Sequence, residues 1–588
     1  MSLVILVSVA AMGALVSGLA MGRDRRIARA GASAGVMALL VVTSLVFALD
    51  PAESSAASLA APGHIFDGML AASGFLRLVI GLWALSSIIT VCAAALLHGL
   101  AGLRTLLPAT LAALAAGSIS LGATNLGLAV AAAAACGLAA LLVLTAAEGP
   151  AVVMAAAREV RMVLLGGAVL GGILALLPVS ARLVELGLGD GAATDATGLT
   201  GPAIGPAAGP VVGLLLLAGG MVVAMRFGMP PFHLRISRIT DLVPPITLPL
   251  VLAWIPVPLA AVGMAIVDTL VAPLALPLDG ERMLIIGFAI ATMAGAALAA
   301  YAQDDIRHGV GYLVIADAGV LAVAVAALDP VAWGPARTWI VTMAATKSAL
   351  AAWAAVTEDR FDTRSMPDLR GWMRKAPILA AGLVLTALAT FGLPGWAAFT
   401  ARSEIGAALG TGPLPVLMIG AGLLSLPVYL RLIIIGVRRP TSRVDGAAPE
   451  RLPRAPRWAR QELLSVEADD SRQENPLARP GSPSGESGVA TEVAALRSMG
   501  GAAGAARAAA LRAATAARLL AHRARVSGAR AAALLERIRV VVQRDRAELL
   551  SVAVVALAVL ALLTSWGALD ISRTATEPAP IVSAASGD

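Results

Sequence analysis

The sequence predicts an all-α protein that crosses a membrane many times, and two observations support this fold class. The 588 residues are 58% hydrophobic and only 14% charged, with a mean hydropathy of +0.85, whereas soluble domains carry about 25% charged residues. Segments of about 20 apolar residues recur along the chain, and each can cross a hydrocarbon core of about 30 Å as a helix. We therefore expect about fourteen transmembrane helices.

The candidate spans follow one another closely, except before the last. They cover residues 2–21, 30–49, 73–97, 105–121, 124–147, 160–178, 209–229, 244–266, 283–302, 309–328, 336–356, 376–400, 412–436 and 549–568. No basic region precedes the first segment, which favours a transmembrane helix over a cleaved signal peptide. Cys92 and Cys136 both lie in apolar segments, so they do not report on the redox compartment.

The charges between the spans predict an orientation, because short cytoplasmic loops are rich in Lys and Arg. The first connection is rich in arginine, whereas the connection 50–68 contains acids and no Lys or Arg. This alternation continues along the chain, and the acid-containing loop 179–208 lies opposite the arginine-rich connections. We therefore expect both termini outside the cell and residues 438–548 in the cytoplasm.

The connection before the last span has two parts. Residues from Arg438 to about Val489 are rich in Pro, Ser, Arg and Glu, which is typical of a disordered linker. Residues 495–548 are rich in alanine and arginine and contain no proline, which predicts a helix. Such a helix is either solvated or coiled, or it lies on the anionic cytoplasmic membrane surface.

Two similar breaks interrupt apolar segments in the two halves of the chain. FGMPPF at 227–232 recurs as FGLPGW at 391–396, and each has an arginine close by. Paired Gly/Pro-interrupted helices are typical of a transport path, although prolines at ordinary helix ends also produce such motifs. The residues concerned are Pro230, Pro231 and Pro394 in the breaks and Arg226 and Arg402 beside them.

Ionisable side chains inside predicted spans are costly in a bilayer and are functional candidates by default. Lys347 lies mid-span, where it either acts in transport or extends to an interface. Asp317 is either a functional acid or a structural partner for Lys347 or an arginine. His233 is either a proton shuttle, because its charge changes near neutral pH, or a helix-end residue bonded to backbone. Glu404 is either the partner of Arg402 or an interfacial acid.

The two arginines beside the breaks are poor proton carriers, since a guanidinium group keeps its proton up to a pKa of about 12. We expect Arg226 and Arg402 to act as helix-end anchors or as fixed positive charges that organise water. A titrating step within the membrane then falls to Lys347, with Asp317 or His233 beside it, because desolvation can bring a lysine into the working range.

Cofactor-binding motifs are missing from the sequence. It contains no CxxCH haem motif, iron–sulfur cysteine cluster, GxGxxG fingerprint or Walker loop. We therefore expect no redox centre, bound nucleotide or nucleic-acid partner for this chain.

Three stretches resemble the antiporter-like membrane subunits of respiratory NADH:quinone oxidoreductase. GLLLLAGGMVVAMRFGMPPFHLRISRITDLVPP is similar to the family's seventh-helix region. The stretch beginning YAQDDIRHGVGY is similar to its QxDxKRxxAYSSIxxxG segment, and the stretch from MPDLRGWMRKAP to FGLPGWAAFTARSEI is similar to its DLxGLxRRxP…SLxGIPPxxGFxxKF segment. The resemblance covers about 120–437, and subunit N suits it best. The matching residues are Gln303, Asp305, Arg307, Tyr312, Gly319, Asp368, Leu369, Gly371, Pro377, Gly392, Pro394 and Phe399.

The resemblance implies two inverted five-helix repeats, each with a broken helix. The expected organisation is helices 1–3 in 1–104, a first repeat of helices 4–8 in 105–266, a second repeat of helices 9–13 in 283–437, the cytoplasmic insertion 438–548, and the last helix with an external tail in 549–588.

The resemblance also implies a function. The chain would be a proton-translocating membrane-arm subunit in a bacterial plasma membrane, without a redox centre of its own. NADH, flavin, iron–sulfur clusters and quinone would be bound by partner subunits, and its own partners would be other membrane-arm subunits and lipid. The alternatives are a subunit of a related cation/proton antiporter or membrane-bound hydrogenase, or a scaffold that has lost conduction.

The chain departs from the family pattern at four charged positions. The family's fifth-helix glutamate falls near Cys136, its seventh-helix lysine on Arg226, its eighth-helix lysine near Pro256 and its twelfth-helix lysine on Arg402. Two of the four charges therefore become arginine and two are absent, which favours the scaffold alternative.

Overall fold

The computed structural model describes residues 3–21, 23–49, 69–144, 150–185, 208–267, 278–410, 413–438 and 545–569. Several expectations lie outside these residues. They are the acidic connection at 50–68, most of the loop 179–208, the insertion from 439 to 544 and the tail after 569.

Within the described ranges the regular structure is helical. The α-helices are α1 Leu3–Met21, α2 Arg25–Ala48, α3 Gly74–Gly122, α4 Leu126–Leu144, α5 Pro150–Glu185, α6 Ala208–Phe227, α7 Leu234–Leu242, α8 Val257–Ile266, α9 Asp279–Ala302, α10 Ile306–Ala327, α11 Trp333–Phe361, α12 Trp372–Lys375, α13 Pro377–Phe391, α14 Ala397–Ala407, α15 Pro413–Ala421, α16 Leu426–Val437 and α17 Arg546–Trp566. Short 3₁₀ turns occupy Pro245–Thr247, Pro330–Ala332 and Met366–Leu369, and a π-helix occupies Pro249–Trp254.

The predicted class, an all-α polytopic membrane protein, is confirmed. Among the described residues, eleven helices are long and apolar enough to cross a membrane, and two shorter apolar helices cover Val212–Phe227 and Pro377–Phe391. Two predicted spans, 73–97 and 105–121, share the single helix α3. That helix is interrupted at Gly99, whose φ of 58° is not helical.

The core is built around α11, which is buried from Ala336 to Thr357. Because neighbouring helices surround it, α11 can carry hydroxyl side chains that a lipid-facing helix would avoid. The hydroxyls of Thr338, Thr342 and Thr346 each donate to the carbonyl oxygen one turn earlier, at 2.9–3.0 Å. This satisfies their hydrogen bonds within the helix and leaves the remaining polar groups of α11 for contacts with other helices.

One end of the bundle is fixed by charged groups around the start of α10. Asp305 caps this helix by accepting from the backbone N–H groups of Arg307 and His308, at 2.8 and 3.3 Å. The Arg307 guanidinium donates twice to Glu358 at the end of α11, at 2.6 Å each, and once to the Thr240 carbonyl in α7 at 3.1 Å. These bonds tie α7, α10 and α11 together.

The last helix, α17, packs on α11 and α13. A Cβ atom on Gly382 would lie 2.9 Å from Val554 Cγ1, so the glycine allows close approach of the two helices. Arg360, in the last turn of α11, donates to Ser551 Oγ at 3.2 Å and to the Lys375 carbonyl at 2.9 Å.

Candidate functional site

The first helix break joins α6 to α7 and depends on a glycine. Gly228 has a φ of 66°, and a Cβ atom on it would lie 2.4 Å from Ile236 Cγ1. Neither the backbone angle nor the packing therefore accepts a side chain there. Pro230 and Pro231 follow before α7 begins. The break leaves Arg226 in the last turn of α6, where it is buried.

Arg226 forms part of a buried cluster with Glu159 from α5 and Arg235 from α7. The Arg226 Nη1 atom lies 2.6 Å from Glu159 Oε1. Arg235 donates to both carboxylate oxygens, at 2.7 Å from Nε and 2.5 Å from Nη2, and its Nη1 donates to the Arg226 carbonyl at 2.7 Å. A buried charge is stable only when it is paired, and here one carboxylate pairs with two guanidinium groups. The cluster therefore carries a net charge of one positive unit when all three groups are ionised.

Glu159 supplies a carboxylate that the sequence did not reveal. The sequence places the family's missing acid near Cys136, whose thiol instead lies 3.7 Å from two backbone carbonyl oxygens. Arg226 reaches this same region of α4, since a Cβ atom on Gly137 would lie 2.9 Å from its Nη2 atom. The negative partner thus comes from the neighbouring helix α5.

The second break separates α13 from α14, and Arg402 bonds to the backbone at this break. Gly392 has a φ of 58°, and the carbonyl groups at the end of α13 lack helical partners. Arg402 donates to the Thr390 carbonyl at 3.1 Å and to the Phe391 carbonyl, and its guanidinium lies 5.0 Å from the centre of the Trp339 ring. Backbone groups freed at membrane depth need such partners, so Arg402 stabilises the break.

Lys347 and Asp317 form a second buried ion pair beside this break. Lys347 on α11 is 1% exposed, and its Nζ atom lies 2.7 Å from Oδ2 of Asp317 on α10. Asp317, Arg402 and Ser425 line a small cleft with about 260 Å³ of empty space, its open mouth included. This carboxylate therefore faces two cationic side chains, as Glu159 does at the first break. Of the cations that the sequence offered as partners for Asp317, Lys347 is the one that pairs with it directly.

Hydroxyl and indole groups connect α11 to the π-helix through Ser86 on α3. Ser348, next to Lys347 in α11, shares a hydrogen bond of 2.9 Å with Ser86 Oγ. Ser86 Oγ also accepts from Trp254 Nε1, at the end of the π-helix, at 3.1 Å. Trp254 stacks on Trp83 with ring centres 5.9 Å apart. Sequence reasoning missed these groups, because serine and tryptophan are common in membrane helices and give no distinctive signal.

Two predicted site residues lie outside both clusters. Glu404 is exposed, whereas Arg402 is buried and bonds to carbonyl groups, which favours the interfacial alternative for Glu404. His233 precedes α7 without a side-chain capping bond. Its Nδ1 atom is buried and has no hydrogen-bond partner among the described residues, and Arg235 rather than His233 reaches Glu159. In the described part of the chain no group of three or more His, Cys, Asp or Glu is placed to hold a metal ion.

These features define a polytopic helical membrane protein with two interrupted helices and a buried ion-pair cluster at each interruption, an arrangement typical of transporters. Comparison with known proteins shows what this chain is similar to. Residues 210–425 match the family model described as NADH:quinone oxidoreductase/Mrp antiporter, TM.

Individual proteins are similar to larger parts of the chain. The chain is 30% identical over 309 residues to NADH-quinone oxidoreductase subunit N 1 of Streptomyces griseus, which covers 51% of this chain and 62% of that protein. Its fold is similar to a chain of respiratory complex I from Thermus thermophilus, with a TM-score of 0.52, 20% identity and coverage of 79% and 95%. It is also similar to a chain of the Mrp complex from Dietzia, with a TM-score of 0.56, 16% identity and coverage of 85% and 66%. The chain thus spans less than two thirds of that curated relative.

Proposed function

We propose that this chain is a proton-translocating membrane-arm subunit of an NADH:quinone oxidoreductase-type complex. The observation that carries the proposal is the ion pair between Lys347 and Asp317, 2.7 Å apart and buried inside the stretch that matches the family. An intramembrane ion pair is costly and is found where charge or protons move.

The geometry allows Lys347 and Asp317 to exchange a proton while Arg402 still balances part of the charge of Asp317. Lysine and aspartate can each exist in charged and neutral forms in a low-dielectric site, whereas Arg402 keeps its charge. If Lys347 releases its proton, Asp317 still faces the Arg402 guanidinium across the shared cleft. The lysine is therefore the mobile carrier in our proposal, and the arginine is the fixed counter-charge.

The first cluster has a different role in this proposal. Glu159 is held by two arginines at distances of 2.5–2.7 Å, and both cations are permanently charged. We propose that Arg226 and Arg235 set a fixed positive potential at the first break and that His233 is the remaining titratable group beside it. The hydrogen-bonded contacts from Ser348 through Ser86 to Trp254 supply further polar groups inside the bundle.

We also propose the finer topology of fourteen spans in two inverted five-helix repeats, with the domain boundaries given above. The eleven long helices, the two shorter apolar ones and the division of α3 at Gly99 support this count. The pairing of each break with a buried arginine and a carboxylate supports the internal repeat. Both termini outside, a cytoplasmic insertion 438–548, partner subunits of the membrane arm, and NADH, flavin, iron–sulfur clusters and quinone in other subunits complete the proposal.

The test is the number of protons translocated per electron pair in vesicles that contain the assembled complex. Lys347→Ala removes the carrier, and Lys347→Arg keeps a positive charge that cannot be released. Both variants should lower the ratio, while electron transfer to soluble acceptors is retained.

His233→Ala should lower the same ratio if this histidine is the shuttle at the first break. Assembly is checked by the subunit content of the purified complex. If assembled Lys347→Arg and His233→Ala complexes pump as the parent does, the conducting assignment is wrong and the chain is a scaffold.

A further inference from the structure

An open groove lies between α4, α5 and α6 in the first half of the chain. Its first part has about 400 Å³ of empty space, its mouth included, and its lining includes Gly137, Gly166 and Gly167 with Arg226 and Arg235 at one end. Its mouth is open, so the space is a groove between the helices and not a closed chamber.

A second groove lies along α6, with residues of α8 and Val325 of α10 also lining it. It has about 480 Å³ of empty space, is lined by apolar side chains and by Gly219, Gly220 and Gly263, and shares Leu170 with the first part. On α6 the combined lining extends from Val212 to Arg226. Those fourteen steps correspond to about 21 Å at 1.5 Å per residue. This exceeds the depth of one leaflet, which is half of the hydrocarbon core of about 30 Å.

Among the residues that the structure describes, the end of the groove beside α5 carries more positive than negative charge. The Nη2 atom of Arg226 is buried and has no hydrogen-bond partner among the described residues, and the Arg226 side chain lines the groove. Glu159 offsets only one of the two buried arginines that it contacts. Arg158 and Arg161, on either side of Glu159 in α5, are exposed. Exposed arginines in a membrane helix lie at the level of the lipid head groups, so this end of the groove faces that level.

We propose that this groove binds an anionic glycerophospholipid of the surrounding bilayer, with its phosphate near Arg226 and the exposed arginines of α5 and one acyl chain along α5 and α6. Charge complementarity selects an anionic lipid, because a zwitterionic lipid or a neutral isoprenoid would leave the positive charge unbalanced. Basic sites between membrane helices bind such head groups. The groove lining does not include Lys347 or Asp317, and lipid labelling is measured without proton transfer.

The test is photo-crosslinking of the full-length chain in phosphatidylcholine vesicles that contain 5 mol% phosphatidylglycerol with a diazirine on one acyl chain. Mass spectrometry of the digested protein should locate the label in 162–170 and 212–225. Phosphatidylcholine with the same diazirine-bearing acyl chain should label these peptides several-fold less. Each arginine near the head group contributes about 1 kcal/mol, so Arg158→Gln and Arg161→Gln should each reduce labelling about fivefold.

A pair of glycine substitutions on α5 tests the path of the acyl chain. Gly167 lines the groove, and Gly167→Leu should block it. Gly171 has open space where a side chain would stand and lies outside the lining, so Gly171→Leu is the matched control and should label as the parent does. Equal labelling by the two lipid probes, or labelling that resists both Gly167→Leu and the two arginine substitutions, would overturn the proposal. Displacement by a free fatty acid or a neutral quinone, but not by excess unlabelled phosphatidylglycerol, would assign the groove to a different occupant and overturn it equally.

Discussion

Glu159 should contribute more to the stability of this protein than any exposed carboxylate does. Its side chain is 2% exposed, and it accepts from Arg226 at 2.6 Å and from Arg235 at 2.5 and 2.7 Å. Glu159→Gln keeps the shape of the side chain but removes the negative charge, so two buried guanidinium groups lose their counter-ion and repel each other. Removing one partner of a buried ion pair costs about 3–5 kcal/mol, and this is the loss we expect.

The free energy of unfolding is measured from the transition of the purified chain in mixed micelles as the fraction of sodium dodecyl sulfate rises. Glu404→Gln is the matched control, because Glu404 is exposed and surface substitutions change stability by about 0.5 kcal/mol or less. The double variant Glu159→Gln/Arg235→Gln should lose less than the sum of its single variants, because residues in one ion-pair network show coupling of about 0.5–3 kcal/mol. A loss below about 1 kcal/mol for Glu159→Gln, or additive single losses, would refute the view that this carboxylate holds the break together.

Two further predictions concern the break and the topology. Gly228→Ala should destabilise the chain by about 1–3 kcal/mol, because the residue has a φ of 66° and its Cβ would meet Ile236 at 2.4 Å. Gly295→Ala on α9, where a Cβ meets open space, is its control and should be neutral or slightly stabilising in the same unfolding assay. For the topology, a cysteine at Ser583 should react with an impermeant reagent in intact cells and a cysteine at Ser482 should not. Labelling of the Ser482 position alone would reverse the proposed orientation.

The sequence revealed the residues at the second break because they stand out against an apolar background. Lys347 and Asp317 are ionisable groups within strongly apolar segments, and the cost of burying them made each a candidate. The contact between them was one of several alternatives, since they lie on different helices and no local spacing joins them. Only packing of α10 on α11 brings the two side chains to 2.7 Å.

The sequence did not reveal Glu159, for a physical reason that lies in its neighbours. It stands between Arg158 and Arg161, and a short charged run at the edge of an apolar segment is usually a solvated loop. In the structure α5 begins at Pro150, well before the predicted start of the span at 160. Arg158 and Arg161 therefore lie on the exposed face of the helix, whereas Glu159, between them in sequence, is buried in the bundle. A search of the sequence for an acid flanked by arginines at the edge of an apolar segment would have found Glu159.

The two breaks share a design but differ in the chemistry that they permit. At each one, a carboxylate from a neighbouring helix faces two cations, and one of those cations is an arginine at the interruption. At the first break the second cation is Arg235, so the carboxylate is held between two groups that do not release protons. At the second break the second cation is Lys347, which can release one. In the proposed mechanism, Glu159 has no neighbouring cation that can release a proton to it, whereas Lys347 can pass its proton to Asp317. In the same proposed mechanism, having an arginine where the other half has a lysine makes the first break a fixed charge and leaves proton exchange to the second break.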